Sequence, residues 1–459
     1  MSGTSLGARF LSHRPSIDAA SRRLAFAVIA LALTLASSAA SAQDAPATVT
    51  ADECRDVVAR LGRSLDERYV FPDKGAACRA MLDELLASGG LEGISAPDEF
   101  ARVLTDKLQD LTHDKHLRVR FRPPGAGRTE GPRENPALAR ARQLMQARAQ
   151  NYAFVKTEIL EGNIGYLDLR GFAPPFPAAR ETAAAAMNFL ANCDAVIFDL
   201  RRNGGGSPGM IRFVTSWLFE KPTHLNSLYW REGDRTEEFW TQAEIPGRRL
   251  ADVPAFVLTS NFTFSGGEEF TYNLQCLKRA TIIGETTGGG AHPVMGIGVG
   301  EGFVIRVPFA RSINPITGTN WEGVGVEPDA ACQADRALDM AHMMALDRLS
   351  QTAPDEQKTR LAWAADFLRS RITPIRIDDE KLRRFAGSFG PRRITHHDGG
   401  LYYSRDGAPE RRLNAISDNM FMIEGVEFFK VRFETDKAGR VERLVGLYDD
   451  GHSDVSVRD

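Results

Sequence analysis

The chain has 459 residues, 43% of them hydrophobic and 25% charged, with a formal net charge of −3. That composition excludes a mostly disordered chain, and with no basic excess and no clustered Lys/Arg segment it offers nucleic acid little to bind. At roughly 150 residues per domain, the length implies two or three domains.

Arg22-Arg23 precede an apolar run, Leu24 to Ala36, and then the small residues Ser37 to Ala42. The run is shorter than the roughly 20 residues a bilayer-spanning helix needs, so residues 1–42 read as a secretory signal cleaved after Ala40-Ser41-Ala42. The expectation is a periplasmic or secreted protein with no stable membrane anchor after cleavage. In such an oxidising compartment disulfides persist. Cys54 with Cys78 and Cys193 with Cys276 are candidate pairs that leave Cys332 over, and buried free thiols are the equal alternative. No C-x-x-C spacing points to a metal or redox site.

Residues 43–122 read as a helical domain, with apolar residues at helical spacing: Val57, Val58, Leu61 and Leu65, then Met81, Leu82 and Leu85, then Phe100 to Leu111. Ser95-Ala96-Pro97-Asp98 has the chemistry of a helix start, and Leu117 to Phe121 alternates like a half-buried strand. Residues 123–153 are a Pro/Gly-rich linker loop and a helix. Residues 154–345 interleave strands (Ile164 to Leu169, Ala195 to Leu200, Ala255 to Thr259, Ala280 to Ile283, Phe303 to Val307) with helices (Ala178 to Leu190, Pro208 to Glu220, Glu268 to Leu277), an α/β layered domain. Ala334 to Ser370 reads as helix with a break at Ala353-Pro354, and residues 346–373 are a helical connector. Residues 374–459 alternate in short runs between Asp-Gly turns, a small antiparallel β module. His396-His397 lies beside one of those turns and reads as a solvated pair.

Two segments carry chemistry. Asp199 to Gly206 runs a strand into Gly204-Gly205-Gly206, which lets backbone N–H groups approach an anion; no Walker or dinucleotide spacing follows, so an oxyanion hole and a plain tight turn remain as readings. Leu258 to Phe270 runs a strand into a helix through Ser265-Gly266-Gly267, placing a hydroxyl at a helix N-terminus where developing negative charge is favoured. An ordinary N-cap serine fits the same pattern. No Lys follows Ser265 at the spacing of S-x-x-K enzymes, and there is no G-x-S-x-G elbow.

Together with Thr112 to Leu117, Gly162 to Leu167, Gly284 to Pro293 and Asn320 to Asp329, these segments resemble the tail-specific (carboxyl-terminal processing) serine peptidases. The resemblance is strongest to the branch without a PDZ domain that includes interphotoreceptor retinoid-binding protein, since the stretch from Phe121 to Phe154 is too short for a PDZ insert. It runs from about Val57 to Ala341. It implies a central mixed β-sheet with flanking helices, a crotonase-like/ClpP-like spiral core, beside the N-terminal helical subdomain and the C-terminal β module. It also implies Ser265 as nucleophile, Gly266 as one oxyanion donor and Gly204 or Gly205 as the other. Where many relatives carry a lysine base, this chain has Gly288-Gly289-Gly290. The tricorn protease branch uses histidine instead, and His116 matches its position, with Glu322 matching the carboxylate that orients it. His113 and His292 are the alternative bases, and a His113/His116 metal pair lacks a third ligand. The implied function is an exported serine peptidase acting on peptide or protein substrates, with no metal or organic cofactor. The alternatives are a non-catalytic module holding a retinoid- or lipid-like ligand in the same cleft, and an esterase or small-peptide hydrolase.

Overall fold

The computed structural model describes residues 48–122, 135–372 and 375–459; the signal reading of 1–42 and most of the linker loop lie outside them. Thr50–Asp459 forms one unit. It opens with three helices, α1 (Ala51–Arg68), α2 (Pro72–Ala87) and α3 (Pro97–Thr112). Thr50 and Glu53 close a capping box at the start of α1, satisfying two N–H groups that the helix leaves free. The third helix starts at Pro97 as expected, but its N-cap is Ala96, without a side-chain bond. The fixed φ of proline at N1 sets that start without one. Strand β1 (Arg118–Phe121) and helix α4 (Pro136–Ala149) follow.

The core is a six-stranded sheet in the order β12-β8-β7-β4-β3-β2, built from β2 (Phe154–Leu160), β3 (Ile164–Leu169), β4 (Ala195–Asp199), β7 (Ala255–Thr259), β8 (Ala280–Gly284) and β12 (Ala330–Ala331). Only β2 pairs antiparallel; the rest are parallel. A parallel sheet is covered on both faces, which is why these strands are apolar on both sides. Leu167, Val196, Phe198, Val257 and Ile282 pack under α5 (Pro177–Phe189), α6 (Pro208–Thr215) and α7 (Gly266–Cys276). On the other face Ile164, Ile197, Phe256, Leu258 and Ile283 meet α8 (Ala337–Ser350) and α9 (Asp355–Ile372).

Two smaller sheets were not legible as such. β5 (His224–Trp230) and β6 (Arg235–Trp240) pair with β11 (Ala310–Ile313). β9 (Val294–Gly300) and β10 (Phe303–Pro308) form a sheet with β1, so the strand read as Phe303 to Val307 belongs outside the central sheet and pairs with the strand that follows the N-terminal helices. After α10 (Asp379–Phe385), an eight-stranded antiparallel meander, β13 (Gly387–Phe389) to β20 (Ser453–Val457), completes the chain, and Asp459 N–H donates back to Ser388 of its first strand. All five cysteines are free thiols, so neither candidate disulfide is formed; Cys54, Cys78 and Cys193 are buried.

Candidate active site

Strand β7 ends at Thr259, and the turn from Ser260 to Phe264 delivers Ser265 to the first position before α7. Ser265 is half-buried, with φ 54° and ψ −118°. An N-cap residue ordinarily sits in the β region. A non-glycine residue held in this conformation costs of order 1–3 kcal/mol and persists only where its surroundings impose it.

Two buried polar side chains impose it. Asn203, fully buried, donates from Nδ2 to Leu169 O, accepts Gly205 N–H on Oδ1 (2.8 Å), and accepts Phe264 N–H on its backbone carbonyl (3.0 Å), locking the glycine turn against the serine turn. The contact is close: a Cβ on Gly205 would lie 2.8 Å from both Ser265 Cβ and Gly266 N, and one on Gly267 would lie 2.9 Å from Asn203 Oδ1. Glu268, fully buried, accepts from Ser265 N (2.7 Å), Thr287 Oγ1 (2.6 Å), Gly289 N (2.6 Å) and Gly290 N (2.9 Å). Burial raises its pKa, and those donors oppose the shift. One carboxylate thus joins the serine turn to the 287–290 loop.

The glycines of that loop have a steric reason. A Cβ on Gly290 would run into the Phe264 ring and lie 2.6 Å from His116 Cε1, and one on Gly288 would lie 2.6 Å from Phe264 Cδ2. His116 stacks obliquely on Phe264, the residue before Ser265, with ring centroids 4.7 Å apart. It is buried, its N–H donates to Asp114 Oδ1 (3.0 Å), and its Nδ1 has no hydrogen-bond partner, lying 4.0 Å from Asp114 Oδ1. Burial, and then the charges of His292, Arg306 and Arg118, push its pKa down to about 4 against the opposing pull of Asp114. It is therefore a neutral imidazole throughout the physiological range.

Glu322 is not beside His116. Asn320 Oδ1 takes Glu322 N–H, Trp321 Nε1 donates to Gly290 O and Gly323 N–H donates to Gly289 O. These bonds hold the segment so that Glu322 Oε2 accepts Ala291 N–H (2.5 Å) and lies 3.4 Å from His292 Nδ1. His292 Nδ1 lies 2.7 Å from Asp114 Oδ2, which also accepts the Tyr69 hydroxyl (3.1 Å). The carboxylate nearest His116 is thus Asp114, and Glu322 reaches it only through His292. Burial raises Glu322 to about 7, and its Oε1 is buried without a partner. For Asp114 burial is outweighed by His292 and His116, which hold its carboxyl below the usual range. Ligand atoms of Asp114, His292 and Glu322 fall within 4.8 Å of one another, spacing that could hold a cation, although hydrogen bonds within the cluster already engage every one of these carboxylate oxygens except Glu322 Oε1. His113, exposed and left-handed at the end of α3, stands outside the group.

Of the glycines, Gly205 has committed its N–H to Asn203, so it is no free donor. Gly204 is exposed, with only the Phe262 ring edge, at 4.0 Å, near its Cβ position. Gly266 stands at the first position of α7, where an N–H has no intrahelical acceptor. Asn203, Asp114 and the bridging role of Glu268 escaped the sequence reading. Asn203 precedes a glycine run, Glu268 follows a glycine pair and Asp114 sits in a polar loop, patterns that single out none of the three.

Residues 163–332 match peptidase family S41, and residues 45–161 match the N-terminal domain of Peptidase_S41 in eukaryotic IRBP. A carboxy-terminal-processing protease of Bartonella bacilliformis is 27% identical over 191 residues, 41% of this chain; the match spans 42% of that relative's length. Among solved structures, the photosystem II D1 C-terminal processing protease is 15% identical and covers 62% of this chain and 94% of its own, with a TM-score of 0.39. A lipoprotein from Streptococcus agalactiae is 12% identical over 64% of this chain and 96% of its own, with a TM-score of 0.44.

Proposed function

Residues 45–332 belong to peptidase family S41, and from that premise we propose that the chain is an exported serine peptidase with Ser265 as nucleophile and His116 as general base. The observation that carries this reading is the backbone of Ser265, φ 54° and ψ −118° at a helix N-terminus, which no ordinary capping serine needs. Ser265 Oγ attacks the scissile carbonyl carbon while neutral His116 takes its proton. The oxygen that becomes negative is held by Gly266 N–H and, from the facing turn, Gly204 N–H. His116 then protonates the leaving amine, and water releases the acyl group by the same steps in reverse. Asp114 positions the base, and Glu322 acts on it through His292. Residues 1–42 place the reaction outside the cytoplasm, and peptides or proteins are the substrate class.

The test is fluorophosphonate labelling and peptide hydrolysis by the full chain. Labelling and turnover are expected to vanish in Ser265→Ala; a variant that labels and turns over as the parent does would refute the assignment.

A further inference from the structure

Helix α7 has Ser265 at its start, and its far end, about 16 Å away at the usual rise per residue, runs into two cations. Leu277 caps the helix, Lys278 N–H donates to Gln275 O (2.9 Å) and Arg279 N–H donates to Leu274 O (2.8 Å). In this pairing the residue after the cap takes a left-handed backbone, and glycine ordinarily stands there. Here it is Lys278, at φ 51°, so a side chain is kept where it strains the chain. The carbonyl end of a helix favours a cation, but two follow in sequence and a third, Arg348 of α8, lines the same cavity.

Carbonyl oxygens alone hold Arg279. Its Nε donates to Leu218 O (2.7 Å) and its Nη2 to Leu250 O (2.5 Å) and Val253 O (3.0 Å), which leaves Nη1 uncommitted. Burial and then Arg348 lower its pKa, and the opposing pull of Asp252 is weaker than either. Among the described residues no carboxylate forms an ion pair with Lys278, Arg279 or Arg348. Asp329, on the same wall, accepts Gln275 Nε2 (3.2 Å) on one oxygen and Ile282 N–H (2.8 Å) on the other. A partly buried charge beside another of its own sign, with no counter-ion, is unfavourable.

The cavity has a volume of about 410 Å³ and lies at the N-terminal ends of β7 and β8, the opposite end of the sheet from the serine turn. Thr281 adds a hydroxyl to its wall. A second cavity, of about 1060 Å³, shares Asp252, Val253, Pro254 and Arg348 with it, so a ligand anchored in the first has room to extend.

We propose that Lys278, Arg279 and Arg348 form a phosphate-binding site, separate from the serine centre, that takes free phosphate or the phosphoryl group of a small phosphate monoester. A dianion among three cations replaces their mutual repulsion with attraction, which the single charge of a carboxylate would do less fully. The guanidinium groups supply N–H donors suited to phosphate oxygens, and the lysine supplies a point charge. The site stands independently of the hydrolase reading.

The experiment titrates the full chain with inorganic phosphate and, separately, with glycerol 3-phosphate by calorimetry at fixed ionic strength. It compares the parent with Arg348→Gln, Lys278→Gly and the double variant. Both side chains are exposed, and Lys278→Gly, which relieves the left-handed backbone, is expected not to lower the melting temperature in phosphate-free buffer. One site per chain is expected in the parent. Each single substitution is expected to weaken it about tenfold, as loss of a charge-assisted hydrogen bond would, and the double variant to abolish it. Tighter binding of glycerol 3-phosphate identifies a monoester as the ligand; equal or tighter binding of inorganic phosphate identifies the free anion. Fluorophosphonate labelling at Ser265 is expected to be the same in all four proteins. Absence of saturable binding in the parent, or an affinity unchanged in the double variant, overturns the site, whether or not the chain hydrolyses peptides.

Discussion

The turns around Ser265 and the C-terminal meander are held together by opposite means. In the meander an apolar interior does the work: Phe385 stacks on Phe433 with ring centroids 4.4 Å apart, and Phe389 and Phe421 close around the same ring. Around Ser265 the ties are two polar side chains, Asn203 and Glu268, and glycines with no room for a Cβ. A core of the first kind tolerates changes that preserve volume. A junction of the second kind leaves unpaired buried donors if one partner is removed.

The largest effect should come from Ser265→Ala, expected to lower hydrolysis by about 10⁴-fold or more with an unchanged melting transition. The contrast between regions is sharpened by Glu268→Ala against Phe433→Ala. Phe433→Ala is expected to cost about 3–5 kcal/mol in denaturation of the module while kcat stays within about twofold. Glu268→Ala, which strips the acceptor from four donors, is expected to cost about 3 kcal/mol and to reduce kcat by about 10²-fold or more. If Phe433→Ala also lowered kcat, the two regions would not be separable. Gly290→Ala drives a methyl into Phe264 and toward His116, so about a 10²-fold loss in kcat is expected, and Gly400→Ala in the meander should leave kcat unaltered.

Two smaller effects concern pH. Because His116 sits at about 4, kcat/KM at pH 5 should stay within about twofold of its value at pH 7, whereas a base at the ordinary histidine pKa would lose roughly thirtyfold. Glu269, in the interior behind Ser265, is raised to about 7 by burial, with the Asn226 amide pulling it partly back. Its folded pKa lies above the unfolded one, so its contribution is fully present below about pH 4.5 and is lost as pH rises through 7. Glu269→Gln is therefore expected to raise the melting temperature at pH 8 relative to the parent, by up to about 3 kcal/mol in stability, and to do little at pH 4.5.

Much of the architecture was legible because it rests on local patterns. The strand starting at Ile164, those starting at Ala195 and Ala255, and the helix after Ser265 lie where apolar runs and turn residues place them. Less was legible where a residue's meaning depends on its opposite number. The glycine run at 288–290 reads in sequence only as a missing lysine, and its reason, the rings of Phe264 and His116, is visible only in contact. Glu322 was matched to the orienter of His116, but the hydrogen bonds of Asn320 and Trp321 hold it beside Ala291 and His292.

From its sequence alone this protein declared a strand-to-helix serine turn, a second turn through three glycines and a histidine in a short polar loop, because backbone conformation over a few residues follows from propensity, capping and alternation. Only the tertiary structure decided that Asp114 meets His292, that Glu268 takes the N–H groups of the 289–290 loop, and that Arg118 faces Arg306. Those relations join segments far apart in the chain, and they are set by strand register and by buried hydrogen bonds, neither of which leaves a local trace.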